Sequence, residues 1–437
     1  MHILQITNHG LHEWQVTPGL PDTGGQNVYV NHLSAALVRL GHRVTIVNRG
    51  GYPHPLTGEM HTGIVPALDG RAQIVYLTDS TPSFVRKEDM EAQVPELARQ
   101  LDELMRGQGF DLVFSHYWDG ALLGVLANQT YRLPHYWVPH SLGAIKRRNV
   151  EPAAYAGLRI DDRIAAEARI LAAVDGVVAT SAAVRDSVQH DYGSQAEYFL
   201  PPGVDYERFR PLPAAQCEPI WDFLAERLGT DPAAVRDRPL ILEISRTDTT
   251  KRKDVLLRAF AAVANTEPRP LLAVTIDDIN EALHQDLIDL IEQLGIGGDV
   301  AVLGSVWDQL PCLYSEAAIY CTPSIMEGFG MSAAEAAAAA TPVIASDRVP
   351  FAIEHLLGAE AITRPISEDT SITIGAGVIV VPADSVEGFA AALELLLADN
   401  EMRARMGDAG YSITVPAFGW DRLAGSFLES VFEASDG

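Results

Sequence analysis

Short apolar runs alternate with longer segments of helical periodicity along the whole chain. Because parallel strands need a crossover between them, this alternation is typical of βαβ units. In the first half, the runs that predict strands are Ile3–Ile6, Arg43–Val47, Ile74–Leu77, Leu112–Ser115, Tyr136–Pro139 and Gly176–Thr180. In the second half they are Leu240–Ile244, Leu271–Thr275, Val300–Leu303, Ala318–Cys321, Val343–Ala345 and Gly377–Val380. The pattern predicts an α/β protein with two parallel sheets.

Segments with helical periodicity lie between these runs. The predicted helices are Tyr29–Leu40, Asp161–Ala173, Lys253–Asn265, Ile279–Leu294, Met331–Ala340 and the helical region Ser385–Met406. After Pro416 comes an amphipathic segment, Trp420–Phe432, with the length and position of a terminal helix that crosses back to the first domain.

The segment from Leu200 to Pro213 contains four prolines and one glycine, which prevent a continuous helix or a central strand. We therefore expect a hinge-like connector there. With 437 residues, the chain exceeds the size at which one core stops growing. The predicted domains are 1–203, completed by a C-terminal helix at 416–437, and 204–415, each of them Rossmann-like.

The net charge is −26, with 58 acidic and 32 basic residues. This excess repels nucleic acid and anionic lipid, so nucleic acid is not expected as a partner, and peripheral docking to a membrane stays open. The N-terminus has no signal-peptide pattern, and apolar stretches are too short for a transmembrane span. We expect a cytoplasmic protein whose three cysteines, Cys217, Cys312 and Cys321, are packing residues in a reducing compartment. No feature of the sequence indicates an oligomeric state.

The first candidate motif is Asp22-Thr-Gly-Gly-Gln26, between the first predicted strand and the following helix. Adjacent glycines at such a turn let backbone amides approach an anion or a polyhydroxy ligand. Gly25 is therefore a candidate donor-binding residue and Gln26 a candidate acceptor-binding residue. A plain βα turn is the alternative. The string is not the G-x-G-x-x-G fingerprint, which weakens a nicotinamide interpretation.

Polar residues also follow the strands that end near Ser115 and Pro139. Ligands of open α/β sheets bind beyond the carboxyl ends of strands, so His116, Asp119 and His140 are expected to converge on one crevice. Side chains of this kind suit sugar hydroxyls. Each histidine taken alone is better explained by a structural hydrogen bond. A metal site would need a third ligand that the spacing does not supply.

Arg246 and Lys251 lie five residues apart just after the first strand of the second half. Two cations at a strand end can neutralise a diphosphate leaving group without a metal ion, so magnesium is not expected in the site. For Arg252 and Lys253 we favour a solvated basic loop. No Asp-x-Asp metal motif is recognised, and Asp277-Asp278 is interpreted as a surface loop.

The most specific motif is the string from Ser324 to Glu335, which precedes an alanine-rich helix. Glu327 and Glu335 are eight residues apart, and the Gly-Phe-Gly loop between them can direct the amides of Phe329 to Ser332 at phosphates. One carboxylate can then accept hydrogen bonds from a hexose and the other from a ribose.

Taken together, Gly24-Gly25, His140, Arg246, Lys251 and the string from Glu327 to Glu335 resemble the retaining glycosyltransferases of family 4. The resemblance covers nearly the whole chain. Within that family, the strings Asp-Thr-Gly-Gly-Gln, His-Tyr-Trp-Asp and His-Ser-Leu-Gly are most similar to the sucrose-phosphate synthase and mannosylfructose-phosphate synthase group. The resemblance implies a GT-B fold, in which two Rossmann-like domains have parallel sheets that face a central cleft.

The family also implies roles for individual residues. Arg246 and Lys251 would bind the diphosphate, Glu335 the ribose and Glu327 the donor hexose, and His140 would hydrogen-bond the transferred sugar. The backbone contacts to sugar and phosphate would come from Phe329, Gly330, Met331 and Ser332.

For the acceptor, Lys87 and Lys146 match the positions at which the sucrose-phosphate group binds the phosphate of a sugar phosphate, with Arg163 as a third candidate. The chain departs from that group by carrying Thr249-Thr250 where a Pro-Lys pair is usual, and by its Arg147-Arg148-Asn149 run. These differences leave the acceptor open.

The expected activity is transfer of glucose or mannose from a nucleotide sugar to a sugar phosphate such as fructose 6-phosphate. UDP-glucose is the expected donor, with GDP- or ADP-sugars as alternatives, and no further cofactor is expected. The alternatives are another acceptor (an unphosphorylated sugar, glycerate, inositol phosphate or lipid), a GT-B sugar-nucleotide hydrolase or epimerase, and a non-catalytic binding module.

Overall fold

The computed structural model describes residues 1–16, 20–150, 152, 155–304 and 306–435. The chain divides into two compact units. Unit 1 comprises Met1–Gly203 and Trp420–Gly437, and unit 2 comprises Val204–Gly419.

In the described part of unit 1, eight strands form one sheet in the order β3-β4-β2-β1-β5-β6-β7-β8. These strands are β1 His2–Ile6, β2 Arg43–Arg49, β3 Gly63–Ala67, β4 Ala72–Leu77, β5 Leu112–His116, β6 His135–Val138, β7 Gly176–Ala179 and β8 Tyr198–Phe199. All neighbours are parallel except β3 and β4. The carboxyl ends of β1, β5 and β6 are therefore adjacent, and the polar residues after them come together.

The helices of unit 1 before the connector cover both faces of this sheet. They are α1 Gly25–Arg39, α2 Val94–Gly107, α3 Tyr117–Asn128, α4 Gly143–Asn149, α5 Ile160–Leu171 and α6 Ala182–Tyr192. Helix α3 begins directly after β5 and packs closely on β1. A Cβ atom at Gly120 would lie 2.7 Å from the carbonyl oxygen of Ile6, so only glycine permits this approach.

In unit 2, the described strands form a second eight-stranded sheet in the order β11-β10-β9-β12-β13-β16-β15-β14. These strands are β9 Leu240–Glu243, β10 Leu271–Thr275, β11 Val300–Leu303, β12 Ile319–Thr322, β13 Val343–Ser346, β14 Ile362–Pro365, β15 Ser371–Ile374 and β16 Val378–Val381. Strands β14 and β15 are antiparallel additions to a parallel core.

In unit 2, one helix precedes the first strand and the others lie between or after the strands. They are α7 Ala214–Leu228, α8 Lys253–Val263, α9 Glu281–Leu294, α10 Leu310–Glu316, α11 Met331–Ala338, α12 Val386–Ala398 and α13 Asn400–Ala417. The predicted helical region Ser385–Met406 is thus two helices, and α13 continues through Pro416 to Ala417.

The last helix, α14 Trp420–Ser435, packs in unit 1. Trp420 lies edge-on to Tyr29 of α1, and Phe427 contacts Phe114, Tyr136 and Tyr198 of the sheet. These aromatic contacts bury the apolar face that the sequence predicts for this segment.

One expectation about the cysteines is wrong. Cys217 of α7 and Cys312 of α10 form a disulfide bond, while Cys321 is buried and free. Sequence spacing gave no sign of this pair because its two members lie 95 residues apart and meet only through packing of α7 against α10. Within the described ranges, every helix is too short or too polar to traverse a lipid bilayer.

Candidate functional site

In unit 2, two candidate residues from different loops meet. Lys251 ends a short turn after β9, and Glu327 lies in the loop after β12. The Lys251 Nζ atom donates to Glu327 Oε1 at 2.5 Å. The loops are also joined through the backbone, because the Thr250 carbonyl accepts from the Ile325 amide at 2.8 Å. The sequence predicted both residues, and the fold pairs them.

Gly330 stands immediately before α11 with φ of 104°, a backbone conformation that favours glycine. A Cβ atom there would lie 2.5 Å from Val349 Cγ1. Phe329 is buried against Phe351 and Phe418, which holds this loop in place. The Ala333 amide donates to the Gly330 carbonyl at 3.1 Å, whereas the Met331 and Ser332 amides at the very start of α11 precede the first intrahelical bond and are suited to an anion.

Glu335 lies on α11, one turn after Met331. The Tyr314 hydroxyl donates to its Oε2 atom at 3.0 Å. Burial raises the pKa of Glu335 to about 7, although the Tyr314 hydrogen bond and the charge of Arg208 act in the opposite direction. The carboxylate is therefore poised to change protonation state near neutral pH.

Arg246 is exposed on the loop after β9. Its loop is anchored from β10, because the Thr247 amide donates to Asp277 Oδ2 at 3.1 Å and the Asp277 amide donates to Thr247 Oγ1 at 2.7 Å. Asp277, which the sequence placed in a surface loop, therefore also holds the Arg246 loop in position. Arg246 forms no ion pair with any described residue, so its guanidinium is available to a ligand.

The interpretation of Lys253 as part of a solvated basic loop is wrong. Lys253 is the first residue of α8, and its side chain and that of Glu243 are each 1% exposed. The Lys253 ammonium pairs with Glu243 and donates to Ser245 Oγ at 2.9 Å. Arg252 is only partly exposed and pairs with Asp254. The buried pair supports the strand end from which the Arg246 loop starts.

In unit 1, His140 follows β6 with φ of 56°, and Tyr117 follows β5 with φ of 61°. Left-handed backbone at two residues other than glycine is uncommon and is often found at functional sites. The His140 ring packs edge-on against Tyr29 at 4.8 Å. Burial lowers the pKa of His140 to about 3, and the nearby His9 acts in the same direction. His140 is therefore neutral at physiological pH.

His116 and Asp119 are fully buried and have partners within the protein. His116 Nδ1 is 3.0 Å from His140 Nε2, and Asp119 Oδ1 is 2.9 Å from His9 Nδ1. The Oδ2 atom of Asp119 has no hydrogen-bond partner among the described residues. Direct contact of these two residues with an acceptor stays a prediction, whereas their support of His140 and His9 is observed.

A small cavity in unit 1, partly open to solvent, is lined by the three predicted phosphate-binding cations. Its lining is Lys87, Glu88, Glu91, Tyr117, Trp118, Lys146, Leu158, Arg159, Asp162 and Arg163. Arg163 donates to the Tyr117 hydroxyl at 2.5 Å, to Glu167 at 2.8 Å and to the Ser141 carbonyl at 2.6 Å. These bonds fix its guanidinium at the wall of the cavity.

The lysines of this cavity differ in their counter-charges. Burial opposes the charge of Lys87, but the paired Asp22 carboxylate outweighs it and the pKa of Lys87 is raised. Among the described carboxylates, that of Glu88 lies 3.9 Å from Lys146 Nζ, and Asp22 acts on Lys146 at longer range. Burial, Arg163 and Lys87 together lower the pKa of Lys146. Lys146 is therefore a cation that an added anion would stabilise.

Glu88 lies between the two lysines, with Oε1 at 3.7 Å from Lys87 Nζ and 3.9 Å from Lys146 Nζ. Sequence reasoning did not assign Glu88, Asp22 or Tyr117 to the site. Asp22 lies in the Asp-Thr-Gly-Gly-Gln string and Tyr117 in the His-Tyr-Trp-Asp string. Their positions beside candidate residues could therefore have indicated them. For Glu88 the only signal was its position next to Lys87.

The glycine pair lies at the start of α1, which begins at Gly25. Gly25 is exposed and Gln26 is half-buried. The Gly24 amide donates to the Asn27 side chain at 3.1 Å, which closes the turn. The following first-turn amides lack partners in the helix, as a ligand-binding turn requires.

In the described residues, no group of three or more His, Cys, Asp or Glu side chains is arranged to hold a metal ion.

Two family models match the chain, and together they cover most of it. The model of glycosyl transferases group 1 matches residues 230–413, and the model of glycosyltransferase family 4 matches residues 23–208. The first match contains the Lys251 and Glu327 pair, and the second contains the cavity with Lys87 and Lys146.

Characterised relatives are similar over long stretches. The mannosylfructose-phosphate synthase of Agrobacterium fabrum is 29% identical over 359 residues, which cover 78% of this chain and 75% of the relative. The D-inositol 3-phosphate glycosyltransferase of Xylanimonas cellulosilytica is 28% identical over 426 residues, which cover 96% and 94%.

Solved structures share the fold. The sucrose-phosphate synthase of Thermosynechococcus elongatus superposes with a TM-score of 0.80 at 22% identity, covering 99% of both chains. Anabaena Alr3699/HepE in complex with UDP-glucose superposes with a TM-score of 0.70 at 16% identity, covering 99% of this chain and 100% of that one.

Proposed function

The chain belongs to the family 4 glycosyltransferases with the GT-B fold, and from this premise we propose that it is a retaining hexosyltransferase. The donor is a nucleoside diphosphate sugar, with UDP-glucose as the first candidate. The acceptor is a sugar phosphate, with fructose 6-phosphate as the first candidate. The observation that carries the proposal is the Lys251 and Glu327 pair beside the amide end of α11.

Donor binding in unit 2 follows from the charges there. The positive potential that a diphosphate needs comes from Lys251, from the Met331 and Ser332 amides of α11, and from Arg246, which has no ion-pair partner among the described residues. Glu327 accepts hydrogen bonds from the hexose hydroxyls, and Glu335 accepts them from the ribose. In this proposal the diphosphate is met by Arg246, Lys251 and the amides at the start of α11 together rather than by a metal ion.

Acceptor binding in unit 1 uses the cavity that contains Lys87, Lys146 and Arg163. The cavity is lined by four cations, including Arg159, against three carboxylates, and this concentration of cations suits a phosphate dianion. The names of two relatives, mannosylfructose-phosphate synthase and D-inositol 3-phosphate glycosyltransferase, each include a phosphorylated sugar or polyol, which supports this class of acceptor.

For the chemical step we propose front-face displacement. The acceptor hydroxyl oxygen forms a bond to the anomeric carbon while the bond from that carbon to the diphosphate breaks. The departing phosphate oxygen takes the hydroxyl proton. Because Lys251 and Arg246 stabilise the charge that develops on the leaving group, electrostatics supplies most of the rate enhancement. His140 is neutral and orients the hexose rather than transferring a proton.

A matrix of donors and acceptors tests the proposal. UDP-, GDP- and ADP-glucose and GDP-mannose are each incubated with fructose 6-phosphate, fructose, inositol 3-phosphate, glycerate or buffer, and the products are identified by mass spectrometry and NMR. We expect an α-linked product with a phosphorylated acceptor. Release of free hexose at the same rate with and without acceptor would instead identify a hydrolase.

A further inference from the structure

A chain of hydrogen bonds runs from helix α1 to His140 inside unit 1. The Ser34 hydroxyl donates to the Val30 carbonyl at 2.7 Å, and Gln5 Nε2 donates to Ser34 Oγ at 2.5 Å. On the other side of Gln5, its Oε1 atom is 2.9 Å from His116 Nε2. His116 Nδ1 then lies 3.0 Å from His140 Nε2. Ser34, Gln5 and His116 are fully buried, and every contact in this chain is a direct one between protein atoms.

The donor and acceptor of each hydrogen bond determine the donor and acceptor of the next one. A hydroxyl has one hydrogen, and Ser34 gives it to Val30, so Ser34 accepts from the amide nitrogen of Gln5. Gln5 must then present its carbonyl oxygen to His116. An oxygen acceptor requires that His116 carry its hydrogen on Nε2.

The same logic extends to His140 because both rings are neutral. Burial lowers the pKa of His116 well below its ordinary value, and burial lowers that of His140 to about 3. A neutral imidazole has one N–H, so His116 Nδ1 is an acceptor and His140 Nε2 must donate to it. The Nδ1 atom of His140 then carries no hydrogen, and its lone pair can accept a hydrogen bond.

The Nδ1 atom of His140 has no hydrogen-bond partner among the residues that the structure describes, and its ring is only partly buried. We propose that Gln5 and Ser34 are positioning residues that hold His140 in the Nε2–H tautomer, so that Nδ1 accepts a hydrogen bond from a hydroxyl of the transferred sugar. The identity of that partner rests on the proposed function, whereas the tautomer does not.

The Nε2–H tautomer of His140 limits which donor hexoses the site accepts. A hydroxyl can donate to a lone pair, but a fluorine or an ether oxygen in the same place cannot. The chain therefore makes His140 selective for a free hydroxyl on the hexose. In the opposite arrangement, with N–H at Nδ1, His140 would donate instead and would tolerate fluorine.

Nitrogen NMR of the ¹⁵N-histidine-labelled protein tests the tautomer without any substrate. The expected result is N–H at Nε2 and a bare Nδ1 for both His116 and His140. In Ser34→Ala, Gln5 is free to turn its amide nitrogen to His116, and a population with N–H at Nδ1 should appear in both rings. Nδ1–H on both rings of the unaltered protein, or no change in Ser34→Ala, would overturn the proposal.

Activity measurements give a second, independent readout. Ser34→Ala should lower kcat with the best donor by about tenfold, in line with one net hydrogen bond, and leave the acceptor KM unchanged. Gln5→Leu should lower kcat similarly. Thr45→Val is the matched control, because it also removes a buried hydroxyl that contacts a histidine, His2, at 2.8 Å. Near-normal activity of a folded Ser34→Ala would contradict the proposal.

Deoxyfluoro analogues of the donor hexose complete the test. One fluorinated position should lose most of its activity with the unaltered protein, and that loss should shrink in His140→Ala because the acceptor lone pair is gone. Equal losses at every position in both proteins would overturn the hydroxyl assignment. If no nucleotide sugar is used at all, the proposed function fails while the NMR result still decides the tautomer.

Discussion

Lys251 Nζ and Glu327 Oε1 lie 2.5 Å apart, joining the loop after β9 to the loop after β12. The two side chains are mostly buried, at 11% and 20% exposed. Each group therefore holds the other at the place where a donor would bind.

Loss of the Lys251 charge should reduce sugar transfer far more than loss of the Arg252 charge. In Lys251→Met, we expect kcat/KM for the donor to fall at least about 100-fold, because leaving-group stabilisation is lost. Arg252→Met is the matched control, since Arg252 is next to Lys251 but pairs with Asp254 of α8, and this variant should retain near-normal activity. Steady-state kinetics of both variants decide this, and comparable losses in the two would argue against a specific role for Lys251.

Glu335 should make donor binding depend on pH. The pKa of its carboxyl is raised to about 7 by burial, so the group becomes ionised as pH rises through 7. An ionised carboxylate is the better acceptor for ribose hydroxyls, and the donor KM should therefore fall between pH 6 and pH 8. Glu335→Gln should flatten this profile. A wild-type KM that is constant over this range would be evidence against ribose binding by Glu335.

The same group has a linked effect on stability. Because the folded-state pKa is above the ordinary value of 4.5, the folded protein binds the proton more tightly than the unfolded chain. This contribution is fully present below about pH 4.5 and is lost as pH rises through 7. Urea unfolding should show that the stability of wild type relative to Glu335→Gln declines over that window. A difference that grows with pH would contradict the raised pKa.

Glu88 should weaken binding of a phosphorylated acceptor. Its Oε1 atom lies between the Lys87 and Lys146 ammonium groups, where it competes with a phosphate oxygen. Glu88→Gln should therefore lower the KM for the sugar phosphate by about three- to tenfold and leave the donor KM unchanged. Glu91→Gln is the control, because Glu91 lines the same cavity but pairs with Arg169 at 2.6 Å. A higher acceptor KM in Glu88→Gln would show that this carboxylate assists binding.

The buried pair of Lys253 and Glu243 should be important for stability. Lys253→Met leaves the Glu243 carboxylate uncompensated in the core and should cost about 3–5 kcal/mol in the free energy of unfolding. The double variant Lys253→Met with Glu243→Leu should recover part of that loss, since both charges are then removed. Urea titration measures both changes. A loss below about 1 kcal/mol in the single variant would mean that Lys253 is solvated after all.

Much of the fold was predictable because its central strands are buried on both faces and appear as continuous apolar runs, as at Leu240–Glu243. The edge strands β3 and β14 were missed because every residue of β14 is exposed and β3 is exposed over most of its length. Their place in the sheets depends on pairing with β4 and β15. Local hydrophobicity does not encode such pairing.

The candidate site was predictable where a residue stands in a distinctive string, as Glu327 does. It was not predictable where the role of a residue depends on which way its side chain points. Lys253 follows Arg252 in sequence, but it is the first residue of α8 and its side chain turns inward to Glu243. Gln5 lies within an ordinary apolar strand, and its contact with His116 appears only when β1 and β5 pair.

Isothermal titration calorimetry with UDP, GDP and ADP tests the central claim most directly, namely that the cations and α11 amides of unit 2 bind a nucleoside diphosphate. We predict that at least one of the three binds the unaltered protein with micromolar Kd, and that Lys251→Met weakens that Kd by at least about tenfold. The absence of measurable binding for all three nucleotides, or equal affinity in Lys251→Met, would contradict the account.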